Sequence, residues 1–273
     1  MPEVLVNGRP ADRVPADDRG LLYGDHLFET VAFVGGRAPL WDWHLARLQR
    51  DAVRLLMPPP DREVLADECR RLLDDTPRAV IRMTITRGSG GRAYEPPTQP
   101  RPRRILMRRP WPGAIARQRR MGLAVGTSPV RLASGSTLAG IKHGNRLEQV
   151  LAAERAHNEG LDEALLFDAE GCLIEAIAGN VVVGLDDRAV TPDTSRAGVT
   201  GVGLAWLRAQ HGVNIETATL GADELTRSSW AVVINSVAGI RPIATLDGRR
   251  LAIADECRRW QKLWDRLFEC ADS

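Results

Sequence analysis

Ser136-Thr-Leu-Ala-Gly-Ile-Lys-His-Gly-Asn-Arg-Leu-Glu-Gln149 is the stretch whose reading decides the fold. Its centre, Lys142, is one of only two lysines in the chain. The other is Lys262, and every remaining basic residue is an arginine. A chain that uses arginine wherever it needs positive charge has a chemical reason to keep a lysine. An amine loses its proton and attacks a carbonyl carbon; a guanidinium does neither. Lys262 lies in Trp-Gln-Lys-Leu-Trp, on the polar side of a helical pattern, and reads as a surface charge. Lys142 lies among apolar residues and glycines, an odd place for a solubility charge and one where backbone and a bound group approach closely.

Outward from this segment the composition is that of a folded protein. At 44% hydrophobic and 26% charged residues the chain buries a real core. A net charge of +2 is too near neutral to imply nucleic acid or an acidic membrane surface. The N-terminal residues have no basic stretch followed by a long apolar run, so neither a signal peptide nor a transmembrane segment is expected, and the expected compartment is the cytoplasm. Cys69, Cys172, Cys257 and Cys270 lack the close spacing of a zinc or redox motif. They read as buried or half-buried thiols, and no metal is expected.

The pattern along the chain is mixed α and β. Val4 and Val6 lead into the hairpin signal Asn7-Gly8. Leu45, Leu48, Ala52, Leu55 and Leu56 recur at helical spacing after Trp41 and stop at Pro58-Pro59-Pro60. A second helix carries Leu65, Cys69, Leu72 and Leu73. Ala79, Ile81, Met83 and Ile85 alternate with polar or smaller residues as in a strand, and Arg103–Arg108 reads as another. Residues 110–120, with two prolines, a glycine and several arginines, read as a linker. This predicts a smaller N-terminal α/β domain over 1–109 and a larger, β-rich α/β domain over 121–273. In the latter, Leu123–Thr127 is a strand, and Leu147, Val150 and Leu151 begin a helix. Residues 164–167 and 172–174 form a hairpin, 231–234 a short strand, and Cys257 to Phe268 a C-terminal helix.

Three further segments carry chemistry compatible with Lys142. Glu175, in Leu173-Ile-Glu-Ala-Ile-Ala-Gly-Asn180, is a carboxylate able to keep a pyridine nitrogen protonated so that the ring takes up electrons. Ala197-Gly-Val-Thr-Gly-Val-Gly-Leu-Ala-Trp-Leu207 places glycines ahead of a helical run, with free backbone N–H groups and the Thr200 hydroxyl as a phosphate cradle. Arg47, in His44-Leu-Ala-Arg-Leu48, is an arginine able to reach a phosphate.

Together these segments make the chain resemble the fold-type IV pyridoxal-phosphate enzymes, a group of branched-chain aminotransferases, D-amino acid aminotransferases and 4-amino-4-deoxychorismate lyases. The resemblance runs from Asp18-Arg-Gly and Tyr23-Gly-Asp to Asn235-Ser236 and Pro242. It implies a two-domain D-amino acid aminotransferase-like fold, pyridoxal 5'-phosphate as cofactor, a small-molecule substrate and a homodimer. It implies Lys142 as the Schiff-base lysine and Glu175 as the partner of the pyridine nitrogen. Arg47, the amides of Val199 and Thr200, and Ser236 fall around the phosphate, and Asn180 on the family's asparagine. Two segments resemble the lyase in particular: Thr86-Arg-Gly-Ser-Gly-Gly-Arg-Ala-Tyr94 and Leu138-Ala-Gly-Ile-Lys-His-Gly-Asn-Arg-Leu-Glu-Gln-Val150. That resemblance implies conversion of 4-amino-4-deoxychorismate to 4-aminobenzoate and pyruvate, a step toward folate, with Thr30 helping to orient proton transfer by Lys142. Arg92 and Tyr94, on a mobile glycine-rich loop, are candidates for binding a dianionic substrate, and Tyr23 is grouped with them. An aminotransferase of the same fold and a cofactor-binding relative without turnover stay open as alternatives. The chain departs from many relatives at His26, where glycine is usual, at Val182 and at Leu204; His26 reads as a packed or solvent-facing histidine.

Overall fold

The computed structural model describes residues 3–74 and 76–269. The chain divides into two compact units. One contains the chain up to Trp111 together with Ile141–Asn145; the other contains Pro112–Gly140 and the chain from Arg146 onward. The lysine segment Ile141–Asn145 thus groups with the first unit although most of its sequence neighbours group with the second.

The first unit opens with β1 (Val4–Val6) and β2 (Arg9–Pro10). Asn7 and Gly8 between them have φ of 49° and 76°, the left-handed pair that a two-residue hairpin turn requires. Helix α1 (Arg19–Tyr23) is capped by the Asp18 side chain. It is followed by β3 (His26–Val34), α2 (Trp41–Arg54), α3 (Arg62–Leu73), β4 (Arg78–Thr86) and β5 (Arg103–Pro110). The strands form one antiparallel sheet in the order β2-β1-β5-β4-β3, with α2 on β3 and α3 on β5. The alternation along β4 puts Ala79, Ile81, Met83 and Ile85 in the core, with Leu45, Leu48, Leu65 and Leu72 buried on the helices.

The second unit contains α4 (Ile115–Met121), β6 (Leu123–Leu132), α5 (Leu147–Asn158), the hairpin β7 (Glu163–Asp168) and β8 (Leu173–Ala176), then β9 (Asn180–Leu185) and β10 (Arg188–Pro192). It continues with α6 (Val202–Arg208), β11 (Glu216–Ala218), α7 (Ala222–Arg227), β12 (Trp230–Asn235), β13 (Gly239–Leu246), β14 (Arg249–Arg250) and α8 (Asp255–Glu269). Its sheet runs β11-β10-β9-β12-β13-β6-β7-β8, with β14 paired to β13. Leu123, Val125, Leu165, Val181, Val183, Val233 and Ile243 form its core. Helix α8 buries Cys257, Trp260 and Trp264, and Trp260 meets Trp230 edge-on at 5.8 Å.

Two expectations change, in the linker and in α5. The segment expected as a linker carries α4, because its prolines and glycine are confined to 110–113 and nothing after Gly113 breaks a helix. Leu147, Val150 and Leu151 do begin α5, but they are exposed; Ala152 and Ala156 are its buried apolar residues. Cys69 and Cys257 are buried and Cys172 half-buried, all as free thiols; Cys270 lies outside the described residues. Among the described residues no helix is long and apolar enough to cross a membrane, and no cluster of three metal-ligating side chains occurs.

A buried ion cluster joins α2 to β3. Glu29 is 1% exposed and accepts from Arg47 Nε at 2.7 Å, Arg47 Nη2 at 2.6 Å and His44 Nδ1 at 2.7 Å. Burial alone would raise the Glu29 pKa, but Arg47, by charge and hydrogen bond, and then His44 outweigh it and hold the group at about 2. Glu29→Gln is therefore expected to cost about 3–5 kcal/mol at neutral pH, because it leaves the Arg47 charge buried without its partner. The folded pKa lies below the ordinary 4.5, so this stabilisation is complete above pH 4.5 and is lost as pH falls toward 2. Thermal melts of both proteins across that window should show the gap narrowing with acid; a gap that stays constant would show that Glu29 is not the group titrating.

Candidate active site

Lys142 is held by two elements of the first unit. Segment Ile141–Asn145 runs along the edge strand β3, with Leu27 and His143 bridged. The Phe28 N–H donates to the Lys142 carbonyl at 3.1 Å, and the Gly144 N–H donates to the His26 carbonyl at 2.9 Å. The Lys142 N–H donates to Asp51 Oδ2 on α2 at 2.9 Å. The lysine amine lies 4.4 Å from the centre of the Phe28 ring.

The same ring carries a second cation, Arg82, whose guanidinium carbon lies 3.9 Å from the ring centre. Strand alternation places Phe28 and Thr30 on one face of β3, and the register sets Arg82 directly opposite Thr30. Arg82 is half-buried, and among the described residues no carboxylate pairs with it. Burial, and after it the charge of Arg109, lowers its pKa. Lys142 and Arg82 thus share one aromatic ring, and Thr30 stands opposite Arg82 on the same sheet face. Sequence reasoning missed Arg82. The alternation along β4 marks it only as an off-core position, and nothing in the sequence shows that this position is half-buried and lacks a carboxylate.

Arg47, expected at a phosphate, is bound to Glu29 through Nε and Nη2, so its fork is oriented from within the first unit. His26 packs rather than projecting into solvent. A Cβ on Gly144 would stand 2.0 Å from its ring, its Nδ1 lies 3.3 Å from the Gly20 carbonyl, and burial is the main cause of its lowered pKa.

Tyr23 and Tyr94 do meet, with ring centres 5.6 Å apart. The loop bearing Arg92 and Tyr94 was expected to be mobile, but it is clamped. The buried Arg19 guanidinium lies within hydrogen-bond distance of the carbonyls of Gly90, Ala93, Tyr94 and Glu95, at 3.0–3.5 Å. Asp25 fixes that guanidinium and also accepts from Arg87, at the foot of the loop. Glycine supplies positive φ at Gly88, Gly90 and Gly91, and Arg19 gives the carbonyls of this irregular backbone a donor, the Glu95 carbonyl accepting the Arg92 N–H as well. Arg92 and Tyr94 themselves are exposed.

The second unit presents Glu175 on β8, 7% exposed. Its Oε2 accepts from the Val199 N–H at 3.0 Å and its Oε1 from Gln149 Nε2 at 3.3 Å. The Val199 amide, expected around a phosphate, is therefore committed to Glu175 here. The cause is Gly198, whose φ of 74° turns the loop onto the carboxylate; a Cβ there would stand 2.9 Å from Glu175 Oε2. Asn180 fastens the same loop from both sides, donating to the Val199 carbonyl at 2.9 Å and accepting from the Gly201 N–H at 2.7 Å. The Thr200 and Thr194 hydroxyls share a hydrogen bond at 2.8 Å. Ser236 lies in a turn closed by Asn235 Oδ1, which accepts from the N–H groups of Val237 and Ala238.

Taken each unit by itself, these residues have chemistry that fits pyridoxal phosphate. A lysine amine beside an aromatic face suits the aldehyde, a buried and doubly hydrogen-bonded carboxylate suits a pyridinium, and hydroxyls on glycine-rich turns suit a phosphate. Gly198 matters to the fit, because any side chain there would crowd the Glu175 carboxylate.

Comparison with known proteins agrees. The family described as amino-transferase class IV matches residues 26–246. The chain is 29% identical over 243 residues to the aminodeoxychorismate lyase of Vibrio harveyi, covering 88% of this chain and 89% of that one. It is 26% identical over 259 residues to a putative branched-chain-amino-acid aminotransferase of Methanocaldococcus jannaschii, covering 90% and 88%. Its structure superposes on the crystal structure of 4-amino-4-deoxychorismate lyase from Pseudomonas aeruginosa with a TM-score of 0.90 and 36% identity, covering 99% of this chain and 100% of that one. The chain belongs to the class IV aminotransferase family, with its α/β fold-type IV architecture and its dependence on pyridoxal 5'-phosphate.

Proposed function

We propose that the protein is an aminodeoxychorismate lyase, converting 4-amino-4-deoxychorismate to 4-aminobenzoate and pyruvate on the way to folate. The observation that carries this reading is the half-buried Arg82, which among the described residues has no carboxylate partner, facing the ring that also carries the Lys142 amine. A dianionic substrate brings the carboxylate that this arginine lacks. Similarity to the lyases of Vibrio harveyi and Pseudomonas aeruginosa supports the same reading.

In this reading Lys142 would hold the cofactor at its aldehyde carbon and Glu175 would pair with the pyridine nitrogen. Arg47, Thr200 and Ser236 would hold the phosphate. The Val199 amide and Asn180 keep Glu175 and the loop in place. Pyridoxal phosphate, when bound, supplies a carbonyl that captures the substrate amine and a ring that takes up electrons from the adjacent carbon. Lys142 removes the proton from the amine-bearing ring carbon, and Thr30, on the same sheet face as Phe28, orients the amine for it. The C–O bond to the enolpyruvyl group breaks as the ring becomes aromatic. Lys142 returns its proton to the methylene carbon of the departing enolpyruvate, which leaves as pyruvate. Glu175 keeps the pyridine nitrogen protonated throughout. Arg82 binds a carboxylate of the substrate, and Arg92 and Tyr94, on the loop that Arg19 fixes, border the same substrate together with Tyr23 at the end of α1. The protein works in the cytoplasm as a homodimer; the apolar stripe Leu147, Val150 and Leu151 on α5, exposed by 76%, 59% and 57%, supports self-association.

The similarity to the Methanocaldococcus jannaschii protein favours a second reading, an aminotransferase. The two part on one requirement: a transaminase needs a 2-oxo acid as amino acceptor, and the lyase does not. With no 2-oxo acid added, the purified enzyme is expected to release 4-aminobenzoate and pyruvate in equal amounts over many turnovers. Turnover that starts only when a 2-oxo acid is supplied would assign the chain to the aminotransferases. Glu175→Gln should retain the cofactor yet lose about 10²–10³-fold in kcat, since a neutral partner no longer holds the pyridine proton. Arg82→Ala is expected to raise KM for the dianionic substrate more than Arg92→Ala does, because Arg82 is the better desolvated of the two. Equal effects in steady-state kinetics would return the carboxylate contact to the loop.

A further inference from the structure

Helix α2 turns three polar side chains to one face. His44, Arg47 and Asp51 stand at i, i+3 and i+7, and all three are buried. The first two converge on Glu29. Asp51 does something else. Its Oδ2 accepts the backbone N–H of Lys142 at 2.9 Å, while its Oδ1 is taken by Arg50 Nε at 2.9 Å and Arg50 Nη2 at 2.8 Å. A carboxylate that is 1% exposed is thus satisfied on one side by an arginine of its own helix and spends the other on one backbone amide. The Lys142 carbonyl is taken by the Phe28 N–H, so both peptide groups flanking the lysine are tied to the first unit.

The segment has little stiffness of its own. Gly140 enters it at a φ of 77° and Gly144 follows two residues after the lysine. A lysine side chain carries large rotamer freedom, and an amine on an unfixed backbone searches a wide volume before it meets its target. A hydrogen bond to an ionised acceptor is among the stronger ways to hold one N–H in place.

We propose that Asp51 is a positioning residue for Lys142: it pins the lysine backbone so that the amine returns to one place each time it is released. The proposal rests on the assignment of Lys142 as the cofactor's lysine. The test uses the whole chain. In the apoenzyme, hydrogen exchange at the Lys142 amide should be slow in the wild type, faster by about tenfold or more in Asp51→Ala, and near wild type in Asp51→Asn, which keeps an oxygen acceptor. On adding pyridoxal phosphate, the visible band should grow about tenfold more slowly in Asp51→Ala than in the wild type, with Asp51→Asn again close to normal. A Lys142 amide equally protected in Asp51→Ala and wild type, with equal rates of band growth, overturns the proposal. Should Asp51→Ala not fold, the wild type decides: a Lys142 amide exchanging as fast as an unstructured one overturns it, and strong protection with normal reconstitution of Asp51→Asn upholds it. Borohydride reduction with peptide mapping separates the two levels. Label on Lys262 overturns the proposal together with the assignment of Lys142. Label on Lys142 acquired equally fast in wild type and Asp51→Ala overturns the proposal alone.

Discussion

The enclosed carboxylate of Glu29 is the constraint on which the first unit depends. Apolar burial brings α2 onto β3, but that force has no direction and tolerates a helix slid or rotated by a fraction of a turn. Two hydrogen bonds from Arg47 and one from His44 to a single carboxylate tolerate neither. With α2 so fixed, Asp51 arrives opposite the Lys142 amide as a consequence of helical periodicity. Edge pairing of Ile141–Asn145 with β3 supplies the other half of the grip. A buried charge is costly when unpaired, so the cluster forms complete or not at all, and that makes it a device for uniqueness as well as for stability.

The second unit uses uncharged contacts to orient its carboxylate. A backbone amide and a glutamine hold Glu175, and one asparagine spans the loop that provides that amide. Glycine at 198 is the condition for this, because the loop must come closer to Glu175 than a side chain permits. Neutral donors orient this carboxylate without committing it to an ion pair, as an arginine would.

Fold and cofactor are common to lyases and aminotransferases of this family, so the choice of reaction lies in the substrate's surroundings. The structure makes two changes to what the sequence suggests of the residues proposed to meet the substrate. The glycine-rich loop is held by Arg19 through four carbonyls, so it presents a set shape instead of closing from disorder. The second is Arg82, a half-buried cation over the same Phe28 ring as the Lys142 amine, which no sequence motif marks. Both effects come from contacts between residues more than fifty positions apart, which local patterns do not encode.

The sequence by itself determined the family and its cofactor, because the residue types that carry the resemblance are local choices: one lysine kept among arginines, one carboxylate in a strand and one glycine-rich turn. The hairpin at Asn7-Gly8, the amphipathic periods of α2, α3 and α8 and the alternation of β4 were legible for the same reason. Only the tertiary structure decided the rest. The apolar run of β9 has no period to tell a buried strand from a buried helix, and α5 turns its larger apolar residues outward. Tertiary structure also set Asp51 behind Lys142, Val199 against Glu175 and Arg19 under the loop. Each of these is a hydrogen bond between distant segments, and its partner is chosen by where the packed elements leave a donor facing an acceptor.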